Sequence, residues 1–231
     1  MPPLLLFDLD GTLLEPRDPL HTRAFNDVLV EFCGSQATMD WQGTSGMVDR
    51  AILARLFQRA GMHPVDARAL LTRACRVMAA SYARGPMDHS SDRVLPGARE
   101  ILAHLHAQKT PMGLLTGNVG AIAWGRVDQA DLRQYFASGA FGDEAMRRST
   151  LVKRAIRRCE AALDTRFSLA EVIVIGDTPR DIQAAHRAGV RCIAVATGQY
   201  SWDDLERHEP SVTLPDLTDT VRVTNALRSL V

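Results

Sequence analysis

Two aspartates, Asp8 and Asp10, lie one residue apart at the end of a strongly apolar run near the N-terminus. The run, Leu4–Phe7, is typical of a strand buried in a parallel sheet. Acids directly after such a strand lie at its carboxyl end, where open α/β sheets bind ligands. Burying their charge is costly unless a cation or a protonation role offsets it, although Asp10 and Gly11 also form an ordinary turn pair. These residues by themselves therefore predict either a functional site or an acidic turn.

A second stretch repeats this design later in the chain. The β-branched residues of 171–175 predict a strand, and they are followed by a glycine and then by Asp177 and Asp181. Pro179 can open a helix, and two acids four residues apart then share one helix face. The same kind of chemistry is therefore expected at the end of a second strand.

A third predicted strand, residues 111–115, ends in Thr116, Gly117 and Asn118. These residues offer a hydroxyl and flexible backbone amides just before another helix, which makes a natural seat for an anion. Three strand ends would thus bring together four acids, a hydroxyl and free amides. This convergence favours one functional site over three unrelated turns.

The three motifs, residues 8–12, 116–118 and 176–181, resemble the signature loops of the haloacid dehalogenase-like hydrolase superfamily. Their order and separations also match, and the resemblance covers nearly the whole chain. The first and last motifs are specific, whereas the middle one is weak alone. Residues 176–198 look most like the phosphoglycolate phosphatase branch. The resemblance implies a Rossmann-like core with a helical cap inserted between the first and second motifs.

The motifs predict a magnesium-dependent reaction at a phosphate ester. A carboxylate approaches a phosphate dianion only if the charge is offset, and hard oxygen ligands select Mg²⁺. Asp8 and Asp177 are the expected direct ligands, and the resemblance adds the Asp10 main-chain carbonyl. Asp181 would orient these ligands without binding the ion. The resemblance also assigns Asp8 as the nucleophile that forms an aspartyl-phosphate and Asp10 as general acid and base.

The cation that neutralises the phosphate departs from the family pattern, because the usual Lys-Pro is missing here. Arg148 resembles a subgroup that has Arg at this point, whereas Lys153 competes because its distance to Asp177 is closer to the common one. Lys153 falls inside a predicted helix with a solvated face, so Arg148 is favoured. Thr116, Gly117 and Asn118 would bind further phosphate oxygens.

The presence of Asp10 indicates which reaction the superfamily resemblance implies. Dehalogenases need no acid at this position, so Asp10 favours a phosphatase or a phosphomutase. A phosphonate hydrolase would use a cap lysine, and residues 15–92 contain none. A phosphomutase is the alternative enzyme, and a catalytically weak phosphate-binding or regulatory protein is the alternative outside enzymes.

Residues of the expected cap are candidates for contacting the substrate. Thr44 lies in a glycine-rich loop that allows close approach, and Arg50 could pair with a substrate carboxylate. His21, near the start of the first cap helix, could also touch substrate. Each has an ordinary alternative: a loop that caps a helix, or a histidine at a helix end.

Composition excludes several classes of protein. The 231 residues carry 27 basic and 27 acidic side chains, so no basic footprint for nucleic acid is present. No run of 18 apolar residues predicts a membrane span, and the short N-terminal run lacks the pattern of a signal peptide. Four scattered cysteines indicate a reducing compartment rather than a disulfide frame. We expect a cytoplasmic protein whose partner is a small phosphorylated metabolite.

Strand and helix patterns alternate along most of the chain, which predicts a doubly wound parallel α/β sheet. The predicted helices of this part are 97–108, 119–136, 150–163 and 181–188, and weaker strand signals occur near 138–141 and 211–214. Residues 15–92 break the rhythm with three helical runs and no convincing strand. We therefore expect a core of residues 1–14 and 93–231 and a helical cap of residues 15–92, with hinges at 15–19 and 88–92.

Overall fold

The computed structural model describes residues 2–34, 38–85 and 94–230. The described residues form one sheet of six parallel strands in the spatial order β3-β2-β1-β4-β5-β6. The strands are β1 (Leu4–Phe7), β2 (Met112–Leu115), β3 (Ser138–Ala140), β4 (Val172–Gly176), β5 (Arg191–Val195) and β6 (Val212–Leu214). The predicted doubly wound α/β fold is confirmed, and its strand order is that of a Rossmann-like sheet.

Helices cover both faces of this sheet and bury two separate apolar layers. One face packs against α4 (Ala98–Ala107), α5 (Gly120–Gln129) and α9 (Thr220–Ser229). The other face packs against α6 (Arg148–Leu163), α7 (Pro179–Ala188) and α8 (Trp202–Glu206). Because both faces are covered, β1, β2 and β4 are buried at every residue, as their uninterrupted apolar sequences predict.

Three further helices, which lie between β1 and α4 in the sequence, form a layer of their own. They are α1 (Pro19–Cys33), α2 (Asp49–Arg59) and α3 (Pro64–Ala83). Their facing side chains share one apolar core, which Val119 and Ile122 of the sheet-bearing part complete. The three predicted helical runs are present, while the boundaries of a separate cap domain stay a prediction. The predicted hinge at 88–92 lies outside the described residues.

Local backbone geometry accounts for the main differences from the sequence-based expectation. The predicted helix 119–136 is broken, because α5 ends at Gln129 and Asp131 adopts a left-handed φ of 56° before a short 3-10 turn. Helices α8 and α9 were not predicted. In the described part of the chain, no helix combines the length and the apolar character needed to cross a membrane.

Candidate active site

The three motifs converge at the carboxyl ends of neighbouring strands. β1 lies between β2 and β4, with Phe7 in register with Leu114 on one side and Ile175 on the other. Asp8, the residue after β1, therefore lies next to the end of β4, which Asp177 follows. The loop after β2 lies on the other side of Asp8. A cavity of about 470 Å³ opens at this edge. Its wall includes Asp8, Asp10, Gly117, Asn118, Arg148 and Asp177, together with residues of α1, α2 and the segment between them.

Three buried carboxylates form an acidic cluster, of which Asp8 and Asp177 line the cavity. Asp8, Asp177 and Asp181 each place a carboxylate oxygen within 4.8 Å of the others. The Thr12 hydroxyl donates to Asp177 at 3.3 Å. Glycine is required around Asp177, because a Cβ atom on Gly11 or Gly198 would lie 2.3 or 1.7 Å from its Oδ2 atom. The backbone thus closes tightly on this carboxylate.

Burial dominates the electrostatics of this cluster. It raises the pKa of Asp8 to about 7, helped by the negative charges of Asp181 and Asp10 and opposed by Arg148. Burial also raises the pKa of Asp177, together with the charges of Asp8 and Asp181. Carboxylates held this close repel one another unless protons or cations offset their charge.

Arg148 is the cation that reaches the acidic cluster. It is the first residue of α6, and its Nη2 atom lies 2.5 Å from Asp8 Oδ1 and 2.7 Å from Asp181 Oδ1. The same atom donates to the Leu115 carbonyl at 3.0 Å. Burial lowers the pKa of Arg148, but the charges of Asp181 and Asp8 outweigh it and raise the pKa overall. Lys153, the competing candidate, is exposed on α6 and is not part of the cavity wall.

The donor set of the cluster fits a hard divalent cation. Among the described residues, Arg148 Nε and Asp181 Oδ1 are the buried side-chain atoms that make no hydrogen bond, although Asp181 Oδ1 forms the 2.7 Å ion pair with Arg148. Asp181 Oδ2 is engaged, since it accepts from the Thr178 amide at 3.1 Å and from its hydroxyl at 2.6 Å. Asp181 is thereby fixed at the start of α7 with one oxygen directed at the cluster. The single charge of Arg148 does not balance three buried carboxylates, and carboxylate oxygens are the ligands that Mg²⁺ takes.

Asp10 lines the same cavity but has very different partners. Its Oδ1 atom lies 2.6 Å from Arg126 Nη1, and its Oδ2 atom accepts from Asn118 Nδ2 at 2.6 Å. Burial raises the pKa of Asp10, but Arg126, His21 and Asn118 outweigh it and lower the pKa overall. Sequence reasoning missed Arg126. The available signal was an arginine beside apolar Val127 in an otherwise weakly charged helix.

The loop after β2 has its own internal bonds. Thr116 is fully buried, and its Oγ atom accepts from the Asn118 backbone amide and side-chain amide, both at 3.2 Å. Gly117 and Asn118 line the cavity. The structure thus shows Thr116 shaping the loop that presents Gly117 and Asn118.

The residues of the three-helix layer that were candidates for contacting the substrate do not all reach the cavity. Thr44 and His21 line the cavity, and the Thr44 hydroxyl donates to the Trp41 carbonyl at 2.7 Å. Arg50 does not line the cavity, since its guanidinium donates to the Asp143 carbonyl at 3.1 Å and to the Thr72 hydroxyl at 3.2 Å. The structure therefore does not bring Arg50 to the site. Its position on the second residue of α2 directs it toward α3 and the sheet-bearing part instead.

Hydrogen bonds hold the three-helix layer on the sheet edge, and two groups of them involve residues of the cavity wall. In the first, the Asp49 amide donates to the Gly117 carbonyl at 2.7 Å, and the Asp49 carboxylate accepts from the Val119 amide at 2.8 Å and contacts His21 Nε2 at 2.9 Å. Burial lowers the pKa of His21, but the charge and hydrogen bond of Asp49 raise it overall. In the second, Arg180 donates to the carbonyls of residues 43 and 45. The cavity is thus enclosed between the sheet edge and this layer.

Comparisons with known proteins agree with this geometry. A family model described as haloacid dehalogenase-like hydrolase matches residues 5–195. A phosphoglycolate phosphatase of Pseudomonas fluorescens is 29% identical over 227 residues, which cover 94% of this chain and 78% of that protein. Two solved structures share the fold. A hydrolase from Pseudomonas syringae has a TM-score of 0.70 at 21% identity and covers 96% of this chain and 98% of its own. CbbY from Rhodobacter sphaeroides, in complex with phosphate, has a TM-score of 0.66 at 22% identity, with 95% and 96% covered.

Proposed function

Because the chain belongs to the haloacid dehalogenase-like hydrolase family, we propose that it is a Mg²⁺-dependent phosphatase. It hydrolyses a small phosphorylated metabolite through an aspartyl-phosphate intermediate on Asp8. The observation that carries the proposal is the convergence of Asp8, Asp177 and Asp181 with Arg148 at the carboxyl ends of parallel strands. A phosphoryl group transferred at this place meets both a nucleophile and a matched set of charges.

The first half of the reaction forms the covalent intermediate. A carboxylate oxygen of Asp8 attacks phosphorus as the bond from phosphorus to the leaving oxygen breaks. Asp10, whose protonated form is favoured by the negative charge of the bound phosphate, gives its carboxyl proton to that leaving oxygen, and the alcohol departs. Arg148 and the amide of Gly117 bind the phosphoryl oxygens, where charge builds up in the transition state.

The second half of the reaction restores the enzyme. Asp10, now a carboxylate, takes a proton from water, and the water oxygen attacks phosphorus. The bond between Asp8 and phosphorus breaks, and inorganic phosphate leaves. Asp8, Asp177 and the Asp10 main-chain carbonyl would hold Mg²⁺, with Asp181 orienting them. When bound, the ion supplies positive charge that offsets the phosphate dianion and the carboxylates.

The substrate is proposed to be a small phosphate ester. A cavity of about 470 Å³ lies in the range of small-molecule sites, and the polar side chains of Thr44 and His21 lie in its wall. Phosphoglycolate is the first ester to test, because the relative from Pseudomonas fluorescens is a phosphoglycolate phosphatase. We expect the enzyme to act in the cytoplasm.

The phosphomutase alternative remains within the same superfamily chemistry. A mutase must hold a phosphorylated intermediate while it turns over, and cap arginines or lysines usually help. Arg50 was the candidate for this contact, and its guanidinium binds Asp143 and Thr72 instead. The regulatory alternative requires a degraded site, whereas all four acids are present here. Hydrolysis is therefore the favoured proposal.

An assay with p-nitrophenyl phosphate tests the proposal. The wild-type chain should release p-nitrophenolate with Mg²⁺ and stop when EDTA is in excess. A panel of phosphorylated metabolites that includes phosphoglycolate then ranks substrates by kcat/KM. Isomerised sugar phosphates without released phosphate would identify a mutase instead. Binding of phosphate esters without any turnover would identify a binding protein.

A further inference from the structure

Arg126 lies in the second turn of α5 and is fully buried, with 0% of its surface exposed. A buried guanidinium costs free energy unless its donors are matched by acceptors. Among the described residues, its acceptors include Asp10 after β1, Asn118 after β2, and the segment that leads into α1. Arg126 thus occupies a junction between the reaction site and the three-helix layer.

On one side, Arg126 completes a closed set of bonds around Asp10. Nη1 lies 2.6 Å from Asp10 Oδ1, and the same nitrogen donates to Asn118 Oδ1 at 3.2 Å. The Asn118 side-chain amide donates to the other Asp10 oxygen at 2.6 Å. Both carboxylate oxygens are therefore held, and the rotation of the Asp10 side chain is restricted. Its side chain nevertheless stays 30% exposed, and it lines the cavity.

On the other side, Arg126 is bound to the segment that precedes α1. Nη2 donates to the Glu15 carbonyl at 3.0 Å, and Nε lies 3.5 Å from Asp18 Oδ2. Asp18 is the N-cap residue of α1, since its Oδ1 atom accepts from the amides of Leu20 at 2.6 Å and His21 at 2.9 Å. One planar guanidinium thus connects Asp10 to the first helix of the layer that covers it.

From this geometry we propose that Arg126 is a positioning residue for the Asp10 acid. Together with Asn118 it sets the direction in which Asp10 delivers its proton to the leaving oxygen, and it offsets the negative charge that Asp10 then acquires. The inference rests on the proposed phosphatase function and deepens it. Proton transfer depends steeply on the placement of the donor, so a loss of this restraint should slow only reactions that need the proton.

Substrates with different leaving groups distinguish this role from a purely structural one. p-Nitrophenolate leaves as a stable anion without needing a proton, whereas an alkyl alkoxide needs one. The measurement is kcat/KM, because it reports only the steps up to release of the leaving group. The two probes are p-nitrophenyl phosphate and either phosphoglycolate or glycerol 3-phosphate, whichever the wild type hydrolyses faster.

Arg126→Gln removes the charge and the fork of donors. We expect it to lower kcat/KM for the alkyl phosphate by about 100-fold, within the usual contribution of a general acid, and to lower it far less for p-nitrophenyl phosphate. Asp10→Asn is the reference, and it should show the same selective pattern more strongly. Arg126→Lys keeps the buried charge but cannot bind Asp10, Asn118 and Glu15 together, so its selective loss should be about 10-fold.

Arg99→Lys is the matched control. Arg99 donates to the carbonyls of Ala130 at 2.5 Å and Asp131 at 3.1 Å, just after α5, without contacting Asp10. It should leave both values of kcat/KM near those of the wild type. Thermal unfolding verifies that each variant is folded, and if Arg126→Gln does not fold, the result for Arg126→Lys decides.

Equal losses on both substrates in folded Arg126 variants would overturn the positioning role while leaving the phosphatase intact. An Arg126→Lys variant with wild-type values on both substrates would overturn it as well. A wild type that hydrolyses neither probe would refute the proposed function itself, and the acid role of Asp10 with it. A wild type active only on p-nitrophenyl phosphate would refute the acid role alone.

Discussion

Asp8 and Asp10 lie only two residues apart, yet the two sides of the cavity treat their carboxyl groups in opposite ways. Asp8 belongs to a buried cluster of acids, where burial and the charges of Asp181 and Asp10 raise its pKa to about 7 against Arg148. Asp10 is also subject to burial, but Arg126 leads a set of partners that lower its pKa. Neighbouring residues in sequence thus enter separate electrostatic environments.

The difference teaches how one short motif can supply two chemical roles. For the protein alone, the two pKa shifts run opposite to the proposed roles, since a general acid needs a raised pKa and a nucleophile must be ionised. As a nucleophile, Asp8 must be ionised, and a divalent cation shared with Asp177 would lower the pKa of both groups. Asp10 must carry a proton when it acts as acid, and the negative charge of a bound phosphate dianion would raise its pKa against the effect of Arg126 and Asn118.

The largest effect is expected from Asp8→Asn, which removes the nucleophile from the acidic side. The amide keeps the shape of the side chain but cannot form an acyl phosphate, so turnover should fall below a few per cent of the wild-type rate. Steady-state kinetics with p-nitrophenyl phosphate measures it, and thermal unfolding serves as the folding control. Substantial residual activity would contradict the covalent mechanism.

Removal of the metal should act almost as strongly on the same side. EDTA should silence the enzyme and Mg²⁺ should restore it, while Ca²⁺ restores it poorly because its coordination shell is larger and looser. Asp177→Ala should abolish activity or shift the Mg²⁺ dependence to much higher concentrations. Titration of activity against Mg²⁺ checks both statements. Full activity in chelator would show that the acidic cluster binds no catalytic ion.

Arg148 and Lys153 provide a matched pair of cations on one helix. Arg148→Ala should lower kcat/KM by about 100-fold, as expected for loss of one group that stabilises transition-state charge. Arg148→Lys should recover only part of it, because an ammonium places its donors differently. Lys153→Ala should change little, because Lys153 is exposed outside the cavity. The reverse ranking in parallel kinetic assays would reassign the phosphate cation to Lys153.

The smallest effect concerns the pH dependence of stability in metal-free protein. Asp8 and Asp177 have raised pKa values in the folded state, so the folded protein binds more protons than the unfolded chain between pH about 4 and about 7. Their stabilising contribution is complete below pH about 4 and is lost as the pH rises, for Asp8 through a pKa of about 7. We therefore expect Tm in EDTA to fall over this interval and Mg²⁺ to raise Tm more at pH 8 than at pH 5.

Asp8→Asn sharpens this stability test, because it removes one charge from the cluster. Its Tm in EDTA should depend less on pH than that of the wild type. The corresponding difference in the free energy of unfolding is at most a few kcal/mol. Asp10→Asn is the control, since Asp10 has a lowered pKa. Its contribution is present above pH about 4 and lost below. Equal flattening by both variants would contradict the contrast between the two sides.

The sequence by itself determined the sheet and the place of the site. Uninterrupted apolar runs such as Leu4–Phe7 are specified locally, because only a strand covered on both faces buries every side chain. Parallel strands then bring their carboxyl ends to one edge, so acids after β1 and β4 had to meet there. The break after α5 and the short helix α8 were less predictable, since they depend on single residues such as Asp131.

Only the tertiary structure decided which charged side chains face the cavity. Arg148 and Lys153 are five residues apart on α6 and therefore point in different directions. The packing of α6 on the sheet places Arg148 beside Asp8 and leaves Lys153 exposed. Packing likewise turned Arg50 away and buried Arg126 against Asp10. Such choices arise from contacts between residues distant in sequence, so no local pattern encodes them.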